Sequence, residues 1–289
     1  MTPSPAPTIL RGDGVSLAAD RWEPAGTVAG TVLLFHGGGQ TRHSWQQTGA
    51  RLAENGWRAY AIDGRGHGDS EWAPDGDYSY DAHARDIRAI VGELDTPPVL
   101  VGASLGGMAS LVAIGDDPGL ARALVLVDIT PKAEPEGIGR ITGFMRAGLD
   151  GFDSLDAALE AVVAYNPNRR RQPRADGLRK NLRERDGRWY WHWDPRMLAE
   201  ASHAPETVEV RENRARTAAR AVTVPTLLIR GAQSDVVSRE GAEELLELIP
   251  GARYIDVGGA GHMVGGDDND VLSLGLIDFL AGTVATVGP

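Results

Sequence analysis

Three polar side chains, far apart in the chain, have the types and surroundings that covalent acyl transfer needs: Ser104, Asp235 and His262. A serine hydroxyl attacks poorly until a base takes its proton, and the base needs a third group to fix its tautomer and support its charge. Ser104 lies in "GASLG" (102–106), between the apolar run "PVLVG" and the small-residue stretch "SLGGMASLVAIGD". A strand turning this tightly into a helix needs glycine two residues before and two after the serine, and the turn pushes the hydroxyl outward at the helix N-terminus. The pentapeptide alone also suits an ordinary serine N-cap, so its partners decide.

His262, in "DVGGAGHMV", follows the last predicted strand and is the expected general base; Asp235, in "LLIRGAQSDVV", follows the strand before it and is the expected acid member. Asp128, in "LVLVDIT", also ends a strand and precedes the histidine, and is the rival to Asp235. The remaining histidines carry less weight. His36 follows a strand and orients local backbone, His43 and His83 fall on predicted surface helices, His67 sits in a glycine turn, and His192 and His203 lie in the segment between the strand-like runs 122–127 and 225–229.

Attack on an acyl carbon creates an oxyanion, which backbone N–H groups fixed in advance can stabilise by about 3 kcal/mol each. "FHGGGQ" (35–40) supplies them. The expected donors are the N–H of Leu105, next after the nucleophile, and that of Gly38, with Gly39 as the alternative. A nucleotide-binding reading of the glycines fails, since no G-x-G-x-x-G opens a helix and no Lys-Ser/Thr follows.

The elements that must hold these groups are legible as short apolar runs: 31–35, 58–62, 98–102, 122–127, 225–229 and 252–257. Strands buried on both faces read this way. Helical stretches at 42–56, 79–95, 104–116, 238–249 and 270–283 alternate with them, which predicts parallel strands, right-handed crossovers and helices on both faces of an open α/β sheet. Ligands in such folds sit at the C-terminal ends of the strands. An antiparallel hairpin turning at Gly12–Asp13–Gly14 precedes them. The alternation breaks over 131–221, too long for a structureless loop, which predicts a mostly helical insertion over the strand ends. The expected division is therefore a core of 1–130 and 222–289 with a cap of 131–221.

The 289 residues and 42% hydrophobic content suffice for a substantial core, while a net charge of −11 argues against nucleic acid or an anionic membrane as partner. With no cysteine, disulfides and a thiol nucleophile are excluded. No apolar run reaches membrane-spanning length and the N-terminus lacks a secretory pattern, so the expected location is cytoplasmic. A small-molecule substrate and no cofactor or metal are expected; oligomeric state is left open.

Together "GASLGG", "HGGGQ", the Asp235/His262 pair and "IDGRGHGDS" (62–70) resemble the α/β-hydrolase family from about residue 8 to the C-terminus. The resemblance implies an eight-stranded, mostly parallel sheet, a cap after the sixth strand, and Ser104, Asp235 and His262 as a triad. It also implies that Asp63 and Arg65 brace loops near the site. Relatives that open epoxides or remove halide carry Asp at the elbow, so Ser104 points to ester or lactone hydrolysis; carbon–carbon bond hydrolysis, a perhydrolase or haloperoxidase side activity, and a non-turnover ligand receptor are the alternatives.

Within the insertion, "GRWYWHWDPRML" (187–198) places Trp189, Trp191 and Trp193 close together, as anchors to the core or as the roof of an apolar substrate pocket completed by Gly39 and Met263. The basic run at 168–188 is expected as a solvated face, or as a site for an anionic substrate group.

Overall fold

The computed structural model describes residues 3–166, 174–198, 207–262 and 269–286. The chain opens with the hairpin β1 (Ala6–Arg11) and β2 (Ser16–Trp22), followed by β3 (Gly30–Phe35), α1 (Gln46–Glu54), β4 (Trp57–Ile62), α2 (Tyr80–Gly92), β5 (Val99–Ala103), α3 (Leu105–Asp116) and β6 (Ala123–Val127). After a long excursion, α7 (Val208–Ala221) leads into β9 (Thr226–Gly231), α8 (Arg239–Leu248), β10 (Arg253–Val257) and a C-terminal helix (Asn269–Thr286). The strands form one eight-stranded sheet in the order β1-β2-β4-β3-β5-β6-β9-β10, antiparallel at β1–β2 and β2–β4 and parallel elsewhere. The expected architecture is observed, each predicted run falling within a residue or two of its strand.

The alternation of side chains along each strand builds two cores. Leu33, Leu100, Leu124 and Leu228 face one way, against Ile87 of α2, Leu111 of α3 and Leu245 of α8. Val32, Val99, Val125 and Leu227 face the other way, against Leu52 of α1 and Leu276 and Phe279 of the C-terminal helix. These strand residues are fully buried. Truncating one of the leucines to alanine would cost about 2–5 kcal/mol.

The topology places a crevice where chemistry can occur. From β3 the chain crosses to β4 on one side, and from β5 to β6 on the other, so the loops leaving the adjacent strands β3 and β5 diverge. Phe35 pairs with Gly102 and Ala103 with Val127, which brings the ends of β3, β5 and β6 level.

The excursion contains α4 (Pro135–Ala147), α5 (Leu155–Tyr165), the single turn α6 (Ala175–Leu178) and an antiparallel ribbon of β7 (Leu182–Arg185) and β8 (Arg188–Trp191). It encloses its own small apolar cluster, with Met145, Ala158, Leu178, Leu182, Trp191 and Trp193 buried. One expectation changes here. The ribbon turns at Asp186–Gly187, both at positive φ (51° and 76°), a two-residue hairpin where mainly helix was expected. Helix α7, expected in the insertion, packs Ala215, Ala218, Ala219 and Val222 into the α2/α3/α8 layer. Gly115 of α3 permits that approach, because a Cβ there would lie 2.5 Å from that of Ala218.

Candidate active site

Ser104 sits between β5 and α3 at φ 46° and ψ −112°, a conformation that costs an L-residue of order 1–3 kcal/mol. Packing enforces it. A Cβ on Gly102 would collide with the backbone of Gly106, and one on Gly106 would lie 2.6 Å from the Phe35 carbonyl oxygen. The turn is tied sideways by Ser104 N–H donating to the Val127 carbonyl (3.1 Å) and Gly106 N–H to that of His36 (3.2 Å). Ser104 thus stands at the head of α3, where its side chain caps no backbone N–H.

The loop after β3 lies beside this turn. A Cβ on Gly37 would sit 3.3 Å from the Ser104 Cβ, and one on Gly38 would sit 4.0 Å from Leu105 Cδ2. Among the described residues, neither the Gly38 nor the Leu105 N–H has an acceptor. Each belongs to a planar peptide whose carbonyl, pointing the opposite way, is held. The Gly37 carbonyl accepts from His36 Nδ1 (2.8 Å) and Gln40 N–H (3.1 Å), and the Ser104 carbonyl accepts from Met108 N–H (2.9 Å).

The histidine and its carboxylate come from neighbouring strand ends. His262 Nδ1 lies 2.6 Å from Asp128 Oδ2, with both side chains buried. Because a carboxylate only accepts, Nδ1 carries the proton and Nε2 is the basic nitrogen. Asp128 leaves β6 at φ 49°, its N–H donating to the Ile229 carbonyl (2.7 Å). Its Oδ1 accepts from Gly231 N–H (2.9 Å) and its Oδ2 also accepts from the Ser234 hydroxyl (2.6 Å). Those bonds fix its direction. Gly231 also makes room for the histidine loop, since its Cβ would lie 2.7 Å from the Ala260 carbonyl oxygen.

Asp235, expected beside His262, is elsewhere. Its Oδ2 pairs with Arg140 of α4 at 2.7 Å and its Oδ1 has no hydrogen-bond partner among the described residues. Gly137 of α4 packs against the Asp235 backbone, which fixes the residue as a contact between the excursion and the core. The expectation of Asp235 as partner of His262 is therefore corrected to Asp128. Position after a strand fits both residues, and only the path of the chain beyond each strand end separates them. Ser234 went unnoticed in the sequence; its signal was its place next to Asp235.

The tryptophans divide. Trp193, buried, comes within 3.3 Å of a Cβ built on Gly39, and Met145 within 3.6 Å. Trp191 stacks on Trp193 (5.1 Å between rings) and packs edgewise on Phe152, inside the excursion's own cluster. Trp189, partly buried, packs against the same cluster and lies beneath the Arg179 guanidinium. Met263 lies outside the described residues, as do His203 and residues 168–173 of the basic run. Elsewhere in that run, Arg183 pairs with Asp69 (2.5 Å), Arg188 with Asp153, and Arg185 lies over Tyr190.

Four of the remaining histidines form a buried group, in which His36 orients local backbone as expected, bonding the Gly37 carbonyl and the Gly64 N–H. His67 lies 4.9 Å from His36, 5.9 Å from His192 and 6.5 Å from His83, ring to ring. Burial holds all four below the usual imidazole range, His83 and His192 down to about 3. His83, expected on a surface helix, is buried on α2, and its Nε2 has no partner among the described residues. Beside it, a cavity of about 20 Å³ has room for about one water. Asp63 and Arg65 brace the same loops. Asp63 accepts from Arg42 N–H (2.6 Å) and Asp69 N–H (3.0 Å), and Arg65 holds Asp86 through two bonds of 2.7 Å. Among the described residues no helix is long and apolar enough to cross a membrane.

Comparison with known proteins agrees with this fold. Esterase Rv0045c of Mycobacterium tuberculosis is 30% identical, covering 98% of this chain and 91% of that protein. Its crystal structure superposes with a TM-score of 0.72 at 27% identity, over 98% of this chain and 92% of that one. The 2-(acetamidomethylene)succinate hydrolase of Mesorhizobium japonicum is 29% identical over 86% of this chain and 87% of its own length. A crystal structure of E-2-(acetamidomethylene)succinate hydrolase superposes with a TM-score of 0.81 at 25% identity, covering 96% of this chain and 99% of that one. The model of the alpha/beta hydrolase fold matches residues 30–268, and the chain belongs to that family.

Proposed function

We propose that this protein is a serine hydrolase of small carboxylic esters or lactones, working through an acyl-enzyme with Ser104 as nucleophile, His262 as base and Asp128 as the orienting carboxylate. The observation that carries the reading is the 2.6 Å bond between His262 Nδ1 and Asp128 Oδ2, made one strand away from a serine held at positive φ. The names of the relatives support it, one being an esterase and the other a hydrolase of an acylamino compound.

His262 Nε2 takes the Ser104 proton as the oxygen bonds to the carbonyl carbon, and Asp128 stabilises the imidazolium that forms. The carbonyl electrons move onto oxygen, which the N–H groups of Gly38 and Leu105 receive. The imidazolium then protonates the leaving alkoxide as the carbon–oxygen bond breaks. Water, deprotonated by the same Nε2, attacks the acyl carbon in turn; the bond from that carbon to the Ser104 oxygen then breaks, releasing the carboxylic acid, as the imidazolium returns the proton to Ser104. The excursion, as residues 131–206 without α7, acts as the cap. Trp193 and Met145 line the acyl side above Gly39.

A fluorophosphonate probe should label the wild-type protein and a short-chain nitrophenyl ester should be cleaved. Ser104→Ala should abolish both while leaving the melting temperature intact. Labelling that survives in Ser104→Ala, or a folded wild type inert to both reagents, would refute the proposal.

A further inference from the structure

The excursion hydrogen-bonds the proposed oxyanion loop through the ring of His192, just after β8. Its Nδ1 accepts from Gly68 N–H at 2.6 Å, so Nε2 carries the proton and donates to the Gly39 carbonyl at 3.3 Å. His67 completes the grip from the core side. Its Nε2 accepts from Gly39 N–H at 3.1 Å, and its Nδ1 donates to the Arg65 carbonyl at 3.0 Å. Gly39 is thereby held at both its N–H and its carbonyl, at φ 73°, where other residues are strained. With the Gly37 carbonyl held as described, every peptide plane flanking Gly38 is fixed, and with them the direction of the Gly38 N–H.

We propose that His192, together with His67, is a positioning residue for the oxyanion loop, so that turnover depends on an imidazole contributed by the excursion. The proposal rests on the acyl-transfer reading above. Both rings must stay neutral, because a second ring proton would face a backbone N–H. Burial, followed by the repulsion of neighbouring imidazoles, keeps them so. Both rings keep at least one unambiguous acceptor nitrogen, which makes the grip a matter of tautomer as well as place.

Asparagine and glutamine at position 192 separate positioning from bulk. The Asn amide oxygen can take the Gly68 N–H as Nδ1 does, but no donor then reaches Gly39; the Gln amide nitrogen reaches Gly39 as Nε2 does. With a short-chain nitrophenyl ester, His192→Asn should lower kcat roughly tenfold with KM almost unchanged, and His192→Gln should restore most of it, because a displaced oxyanion donor acts in the transition state. Amide hydrogen exchange over residues 37–40 should quicken in His192→Asn and stay near wild type in His192→Gln. If the 192 variants fail to fold, His67→Asn against His67→Gln gives the same contrast at the Gly39 N–H. Equal kcat and equal exchange within the pair would overturn the proposal. A wild type inert to ester and probe would sink the hydrolase reading instead, and the exchange comparison would still decide the positioning.

Discussion

His262 and Asp128 share a hydrogen bond of 2.6 Å although 134 residues separate them, and Asp235, one loop away, is turned to Arg140 instead. Replacing Asp128 with Asn should leave the site's shape but remove the acceptor that fixes the His262 tautomer, lowering kcat roughly 10³- to 10⁴-fold. Asp235→Asn should change kcat less than about fivefold, since an exposed ion pair contributes about 0–1 kcal/mol. Steady-state kinetics on the two variants decide between them, and a larger loss at Asp235 would reverse the assignment of the acid.

Strain at Ser104 gives a prediction about stability. The residue holds φ 46° and ψ −112° because Gly102 and Gly106 close the turn around it. Glycine adopts that conformation freely while alanine does not. Ser104→Gly should therefore be more stable than Ser104→Ala by about 1 kcal/mol, with both devoid of activity. Differential scanning calorimetry provides the comparison, and equal melting would show that the turn stores no strain.

Much of this arrangement was legible in the sequence because it rests on local signals. Runs such as "VLLF" and "LVLV" are apolar without alternation only when both faces of a strand are covered, and "GASLG" marks a turn that larger residues cannot make. What stayed hidden depends on distant contacts. Helix α7 was grouped with the insertion because its buried stripe is alanine, an apolar signal too weak to separate it from a solvated helix. The choice between Asp128 and Asp235 turned on one positive φ and on the Gly231 N–H and Ser234 hydroxyl that receive Asp128. His67 and His192 looked peripheral because their partners are backbone groups, which no sequence motif displays.

The elbow glycines should be intolerant of even a methyl group. A Cβ on Gly106 would meet Phe35 Cβ at 2.6 Å and the Phe35 carbonyl oxygen at the same distance, and the backbone at the end of β3 cannot yield cheaply. Gly106→Ala should cost about 3 kcal/mol and displace the Leu105 N–H, so that activity falls further than stability alone explains. Gly139→Ala, on α4 with open space around it, is the control and should be neutral or slightly stabilising. Urea denaturation of both variants tests this, and equal midpoints would contradict it.

Acid should unfold the protein through its histidines before it titrates most carboxylates. His36, His67, His83 and His192 are neutral in the folded state, with pKa values lowered by burial, two of them to about 3. In the unfolded chain the same rings titrate near 6.5. Below that value the unfolded state binds the extra protons, so stability is complete above about pH 6.5 and falls as the pH drops toward about 3, each ring contributing up to about 1.4 kcal/mol per pH unit. Denaturation midpoints between pH 7.5 and 4.5 should decline steeply, and His83→Gln, which removes one titrating ring without touching Gly39, should make the decline shallower. A flat profile over that interval would mean that the rings are already protonated in the native protein.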